Sequence, residues 1–377
     1  SALESTHSMV PTLSEFLAEF PGWVGTDTSV PVELVNGSDL AFVPKDAKTH
    51  RAICIEPLLN GLAQKGIGSF VRNRLLRHGI DLRDQAINQG LAATANRTML
   101  STVDFSSASD TISYNLVWDL LPPDWCELLD SVRSPCFRYE GRWYPFQKFS
   151  SMGNAYTFEL ETLIFYALAY ACVVDVGIRP LTGVNLSVYG DDVIIPQGAF
   201  DLFKEVTTYC GFSFNVEKSF KTGPFFESCG CDTWNGDLVT PYRLKTNVTK
   251  PLEAIYCANL TIRIARRLEA LAVTARDTST FESVCRGLRD CHEVLVSFVP
   301  GNRRALGPDD LSDRWLLAPF DRVCPSQGTF GWRHKQVVVT QLRHTEEEWP
   351  MAYALYCAQD HRADSWITRF DITSSQA

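Results

Sequence analysis

The sequence predicts an α+β protein, with strands and helices mixed through its middle and mostly helix towards the C-terminus. Three observations carry this. Residues 185–196, NLSVYGDDVIIP, set two short apolar runs on either side of a Gly and two adjacent carboxylates, the pattern of a strand–turn–strand hairpin. MLSTVDF (99–105) reads as a strand that ends on Asp104. AYTFELETLIFYALAYACVV (155–174) is apolar nearly all round, which marks a buried helix.

The other elements follow in chain order. Residues 21–40 are rich in Gly, Pro, Ser and Thr and read as loops with short strands. SSASDTISYNLVWDLL (106–121) continues the Asp104 strand as a helix whose Ser-rich start suits capping. FSSMGN (149–154) is a loop leading into the apolar helix. After the hairpin come a helix near 199–209 and a further strand in GFSFNVEKSF (211–220). STFESVCRGLRDCHEVLVSF (279–298) opens with a Ser279-x-x-Glu282 capping box and aligns Phe281, Val284, Cys285, Leu288, Cys291, Leu295 and Phe298 on one face.

Composition narrows the class. A chain of 377 residues that is 45% hydrophobic can bury a large core and several subdomains. The net charge of −9 argues against nucleic-acid binding over the whole surface, but not against a local basic channel. Residues 45–97 hold nine Lys/Arg against four Asp/Glu, so the cations are gathered there, and Arg72, Arg74 and Arg77 are candidates for nucleic-acid phosphates. The rival reading is a solvated helix face. The twelve cysteines show no C-x-x-C spacing and the seven histidines are dispersed, which favours reduced thiols over a disulfide framework or a zinc site. The N-terminus lacks a basic, then apolar leader. The longest apolar run, 162–174, is too short to span a bilayer, so a soluble intracellular protein with no membrane partner is expected. A first residue other than Met suggests a fragment or a processed chain.

Asp191 and Asp192, side by side at a hairpin tip, repel each other unless a cation neutralises them. Mg²⁺ suits carboxylate oxygens and is normally shared with substrate phosphates. Asp104, at the end of a strand, is the natural third carboxylate, although a helix N-cap is the plain alternative for it. Alone, GDD is a weak signal. The order strand-Asp, loop, buried helix, apolar GDD hairpin is that of a polymerase palm.

At this point a resemblance becomes specific. STVDFSSASDTIS, SSMGNAYTFELETLIF and VYGDDVIIP resemble motifs A, B and C of RNA-directed RNA polymerases, and most closely those of levivirus replicase catalytic (beta) subunits. FVPKDAKTHRAICIEPLLN, GIDLRDQAINQ and GPFFESCG extend it over roughly residues 32–245, and the last third matches only loosely. The resemblance implies a right-hand polymerase whose antiparallel palm sheet carries the catalytic hairpin. Residues 1–98 would be a fingers part shortened relative to the family, 99–245 the palm with a fingers insertion and motifs A to E, and 246–377 a thumb-like helical region.

The same resemblance implies roles. Asp104, Asp191 and Asp192 would hold two Mg²⁺ ions, with Mn²⁺ an alternative, and RNA-templated RNA synthesis from nucleoside triphosphates would follow. Asp110 and Asn154 would face the incoming ribose and read its 2′-hydroxyl. The plain alternative for Asp110 is a favourable charge in a helix's first turn. Ser151 and Gly153 would shape the loop before the buried helix. Lys45, Lys48 and Arg51 would grip the triphosphate, and Cys229 would pack in the primer-side turn. Lys218 would protonate departing pyrophosphate, with a solvated lysine the equal alternative. Partners would be RNA template and product and, by kinship, host translation elongation factors Tu and Ts and a small-subunit ribosomal protein, in the cytoplasm of an infected bacterium. A reverse transcriptase and a non-catalytic RNA-binding relative remain alternatives. The first usually blocks the 2′-hydroxyl with a bulky side chain, and the second would have lost a carboxylate or the basic motif.

Overall fold

The computed structural model describes residues 3–19, 32–45, 49–241, 248–275 and 279–301, with short segments beyond that include strands Gly331–Val339 and Phe370–Gln376. The chain divides into two compact units, Ser1–Pro241 and Tyr242–Ala377.

The first unit begins with β1 (Leu3–Thr6), α1 (Val10–Glu19), β2 (Val32–Val35), β3 (Ser38–Pro44) and β4 (His50–Ile55). Helices α2 (Leu58–Arg77) and α3 (Ala86–Thr98) follow, then β5 (Leu100–Val103), every residue of which is buried. The expected helix over 106–121 is two short ones, α4 (Ala108–Thr111) and α5 (Tyr114–Leu120). The break falls at Ile112, which is extended (φ −65°, ψ 105°) and whose carbonyl accepts the Phe149 amide at 2.9 Å. Capping therefore moves to Ser113, whose hydroxyl accepts the Leu116 amide at 3.2 Å.

Then come α6 (Pro123–Val132), with proline in its first turn, and the hairpin β6 (Cys136–Tyr139) and β7 (Arg142–Pro145). The first sheet runs β4-β3-β6-β7 and is antiparallel except where β3 meets β6 in parallel. α7 (Thr157–Asp175) is the expected apolar helix, and at 19 residues it is longer than the apolar run inside it. By length and composition it could cross a bilayer, but most of it is buried within this fold.

β8 (Ser187–Tyr189) and β9 (Asp192–Pro196) form the hairpin, and β9 also pairs antiparallel with β5, giving the order β5-β9-β8. α8 (Phe200–Tyr209) follows. Residues 211–220 are not the strand expected from their composition. They touch the sheet only through isolated bridges, Phe105 with Phe214 and Thr102 with Phe220, because a turn at Asn215–Lys218 interrupts them. β10 (Phe225–Ser228), β11 (Cys231–Trp234) and β12 (Asp237–Leu238) close the unit as a small antiparallel sheet.

The main core lies between the β5-β9-β8 sheet and α7. Phe105 stacks on Phe165 at 4.2 Å and meets Phe203, Phe212 and Phe214 edge-on. Burying one such ring contributes about 1.5–3 kcal/mol. With Val103 and Phe105 both buried, the half-buried Asp104 between them has little freedom to turn.

In the second unit, α9 (Pro251–Ala275) packs along α10 (Ser279–Ser297). The Ser279 side chain, expected to cap α10, lies outside the described residues. The inward face of α10 keeps Phe281, Cys285, Leu288 and Leu295 of the expected stripe and adds His292, with Cys285 bonding the Ala265 carbonyl and His292 the Ala258 carbonyl, while Val284, Cys291 and Phe298 are exposed.

Candidate active site

The β5–β9 ladder ends at Val103↔Val193 and the β8–β9 ladder at Tyr189↔Asp192, so Asp104 and the Asp191–Asp192 turn emerge at the same end of one sheet. The turn has no freedom to drift. Gly190 has φ +63°, and a Cβ there would lie 2.4 Å from the Phe158 ring on α7. Its amide donates to the Thr162 hydroxyl at 3.0 Å. From the other side Asn88 on α3 accepts the Ser187 hydroxyl at 2.5 Å and donates to the Asp192 carbonyl at 3.1 Å, holding both strands of the hairpin.

Asp104 is clasped by the 215–219 turn. Its carbonyl accepts the Asn215 amide at 2.9 Å, and its Oδ2 accepts the Asn215 side-chain amide at 2.8 Å. Burial raises the Asp104 carboxyl, against the charges of Lys218 and Lys45 and the Asn215 bond. Burial raises Asp191 too, and the Asp104 charge raises it further, against Lys218 and Arg51. Asp104, Asp191, Lys218, Lys45 and Arg51 therefore share one electrostatic neighbourhood.

Among the described residues, no lysine or arginine closes a salt bridge to Asp104 or Asp191. Lys218 reaches Glu227 instead, at 3.8 Å. Nor do three His, Cys, Asp or Glu side chains among the described residues gather into a ready metal cage. Two desolvated carboxylates without a bonded cation fit Mg²⁺, which is commonly held by one or two carboxylates and completed by substrate phosphates. Asp192, expected as a third metal ligand, is partly committed elsewhere: its Oδ1 accepts the Cys229 amide at 3.0 Å and the Ser228 hydroxyl at 3.2 Å. Burial pushes it up to about 7 despite the Cys229 amide, with Asp191 adding to the rise. Cys229 thus packs against the Asp191–Asp192 hairpin through its backbone.

The loop before α7 is tied to β4. The Cys54 amide donates to the Met152 carbonyl at 2.8 Å. Gly153 has φ +105°, and a Cβ would fall 2.0 Å from the Cys54 carbonyl, so only glycine admits this approach. Ser151 is buried, and its carbonyl accepts the Thr157 hydroxyl at 2.9 Å. The Asn154 side-chain oxygen accepts the Tyr156 amide at 3.1 Å, a turn that fixes the chain just before α7. Asp110 is exposed and ion-paired with Lys148. Lys48 lies outside the described residues.

A family model described as RNA replicase, beta-chain, matches residues 7–267. The chain belongs to that family. It is 46% identical over 219 residues to the RNA-directed RNA polymerase subunit beta of Escherichia virus Qbeta, a match covering 58% of this chain and 37% of that protein. It is 40% identical over 239 residues to the RNA-directed RNA polymerase beta chain of Escherichia phage MS2, covering 63% of this chain and 42% of that one. The chain thus spans about two fifths of the length of these relatives. Among solved structures, the RNA-dependent RNA polymerase of a human picorbirnavirus (an insertion-loop deletion mutant) aligns at a TM-score of 0.40 and 14% identity, over 71% of this chain and 60% of that one.

Several working parts of this RNA replicase beta-chain family member escape sequence reasoning. Arg72, expected at template phosphates, instead donates to Glu159 on α7 at 2.6 and 3.0 Å and to the Leu82 carbonyl at 2.9 Å. Arg74 and Arg77 on the same helix are exposed. Asn88 was visible only as part of an apparent motif, and Lys148 only as a basic residue just before the loop.

The largest omission is Glu161, a buried carboxyl on α7 that accepts the Ser109 hydroxyl at 3.2 Å. Burial, then the Asp191 charge, push it up to about 8. The unfolded chain therefore loses this proton first as pH rises. The stabilisation is complete below the ordinary value of 4.5 and is lost progressively up to about 8. In EDTA, Glu161→Gln is expected to flatten the fall in melting temperature across that window; parallel profiles for the two proteins would contradict this.

Proposed function

We propose that this chain carries the catalytic centre of an RNA-directed RNA polymerase of right-hand architecture that copies a positive-strand RNA phage genome. The observation that supports it best is the convergence of Asp104 and Asp191, both desolvated, at one end of the β5-β9-β8 sheet beside Lys218, Lys45 and Arg51.

In this reading Asp104 and Asp191 hold Mg²⁺ and Asp192 tunes the field behind them. Mg²⁺ held there would lower the pKa of the attacking 3′-hydroxyl and offset charge on the triphosphate. Lys45 and Arg51, with Lys48, bind phosphate oxygens, Arg by its planar fork and Lys as a point charge. Lys218 holds a proton within reach of departing pyrophosphate and is kept near the carboxylates by Glu227. Asp110 reads the ribose, and Ser151, Gly153 and Asn154 shape the loop beneath it. Residues 1–98 would serve as fingers, 99–245 as palm and 246–377 as thumb. RNA template and product, nucleoside triphosphates, elongation factors Tu and Ts and a small-subunit ribosomal protein would be the partners, in the cytoplasm of an infected bacterium.

Primer extension on an RNA template with Mg²⁺ tests the reading. Addition of ribonucleotides and rejection of deoxyribonucleotides is expected, because a site built around a hydroxyl can reject the analogue lacking it by ~10⁴ or more. Preference for deoxyribonucleotides would favour a reverse transcriptase. Asn154→Ala should lower extension with either sugar alike if Asn154 acts through the turn its Tyr156 bond describes, and ribonucleotides selectively if it reads the 2′-hydroxyl.

A further inference from the structure

We infer that one face of the β4-β3-β6-β7 sheet is a stacking platform for single-stranded RNA leading to Asp110, an assignment that rests on the polymerase reading. The stretch 137–146, FRYEGRWYPF, interleaves rings with arginines around a turn. The register pairs Phe137 with Tyr144 and Tyr139 with Arg142. Because side chains alternate along a strand, these four share a face. Ser38 on β3 pairs with Phe137, and Phe42, an even number of residues further on, joins the same face. Arg138 and Trp143 lie on the opposite one, where Arg138 is bonded to Asp39 at 2.6 and 2.8 Å.

These rings are not core. Phe42 is 53% exposed, Tyr139 39% and Tyr144 40%. They form two neighbouring groups, Phe146–Phe137–Tyr144 with centroids 5.1 and 5.6 Å apart, and Tyr139–Phe42 at 6.0 Å. The first group lines a cavity of about 590 Å³ that Asp110, Thr111 and Lys148 also line. The platform is thus continuous with the place where an incoming ribose would sit.

Charge favours RNA as the occupant. The stretches 36–55 and 133–148, which contain these four strands, carry seven Lys/Arg against three Asp/Glu in a protein of net charge −9. Arg133, Arg138 and Lys148 are paired with Asp130, Asp39 and Asp110, and Arg142 is the cation that lies among the rings of this face without an ion pair among the described residues. Exposed rings beside arginines suit unpaired bases, each of which has a π-face to stack, whereas a duplex hides those faces.

Binding of a fluorescein-labelled single-stranded RNA, followed by anisotropy without nucleotide or divalent ion, tests this. Tyr139→Ala with Tyr144→Ala is expected to weaken binding about tenfold or more. Tyr139→Phe with Tyr144→Phe should restore it, and Trp143→Ala on the opposite face should leave it unchanged. Arg142→Gln should flatten the salt dependence by about 0.7 in logarithmic slope for one phosphate contact. If the double alanine variant unfolds, judged by circular dichroism, the phenylalanine pair and Arg142→Gln still decide. Wild-type affinity in the double alanine variant, or equal loss with Trp143→Ala, would overturn the platform and leave the polymerase reading intact. So would wild-type protein that prefers duplex RNA, as expected of a backbone-binding surface. The polymerase reading fails on a different readout, the absence of templated nucleotide addition.

Discussion

Asp191→Asn and Asp104→Asn are each expected to lower nucleotide addition by about 10³-fold or more while leaving the fold intact. Each substitution keeps the shape of the side chain and removes one of two charges held together out of water. A loss of ~4 kcal/mol in transition-state stabilisation corresponds to that factor, within the several kcal/mol a catalytic ion supplies. Without divalent ions, the variants should melt no lower than the parent protein, since each relieves repulsion between desolvated carboxylates. Asp192→Asn should be milder, because the Cys229 amide and Ser228 hydroxyl can bond a side-chain amide oxygen as they bond the carboxylate. Single-turnover extension and thermal melting in EDTA separate the two effects. Near-normal extension by Asp191→Asn with Mg²⁺ as the sole metal would remove that residue from the metal site.

The second large effect falls on stability. Arg72→Gln should cost about 3 kcal/mol, the low end for breaking a buried ion pair by removing one partner. Glu159 is nearly inaccessible and would lose its fork of two bonds, while Arg72 itself is 31% exposed and so partly hydrated. Arg74→Gln, two residues along on the solvent side, should change stability by less than about 0.5 kcal/mol. Equilibrium denaturation in urea distinguishes them. Equal, small effects would mean that water replaces the guanidinium at Glu159.

Arg72 also shows where sequence reasoning runs out. Its neighbours along the helix are basic, and the excess of cations over 45–97 reads as a binding surface. Its partner lies 87 residues away on α7, and only the close crossing of α2 and α7 joins them. Gly68 permits that crossing, since a Cβ there would lie 2.8 Å from the Ala155 carbonyl. The break at Ile112 is hidden for the same reason, because it depends on the distant Phe149 amide. So is the non-strand character of 211–220, set by the turn that clasps Asp104. The elements that can be read directly are those whose reasons are local. β8 and β9 follow from apolar runs around Gly190, and α7 from a long apolar stretch without Gly or Pro. The convergence of Asp104 and Asp191 at one sheet end is legible from order and spacing. Glu161 was not, because burial and a facing carboxylate leave no mark on the neighbouring letters.

α7 is the common reference for this centre. Thr162 and Phe158 locate the Gly190 turn, and the loop at Gly153 runs straight into the first turn of the helix. A thermal displacement of α7 as a rod therefore carries the carboxylate turn and the loop together and leaves their separation unchanged. What remains is bending within the rod, and a helix free of Gly and Pro resists it.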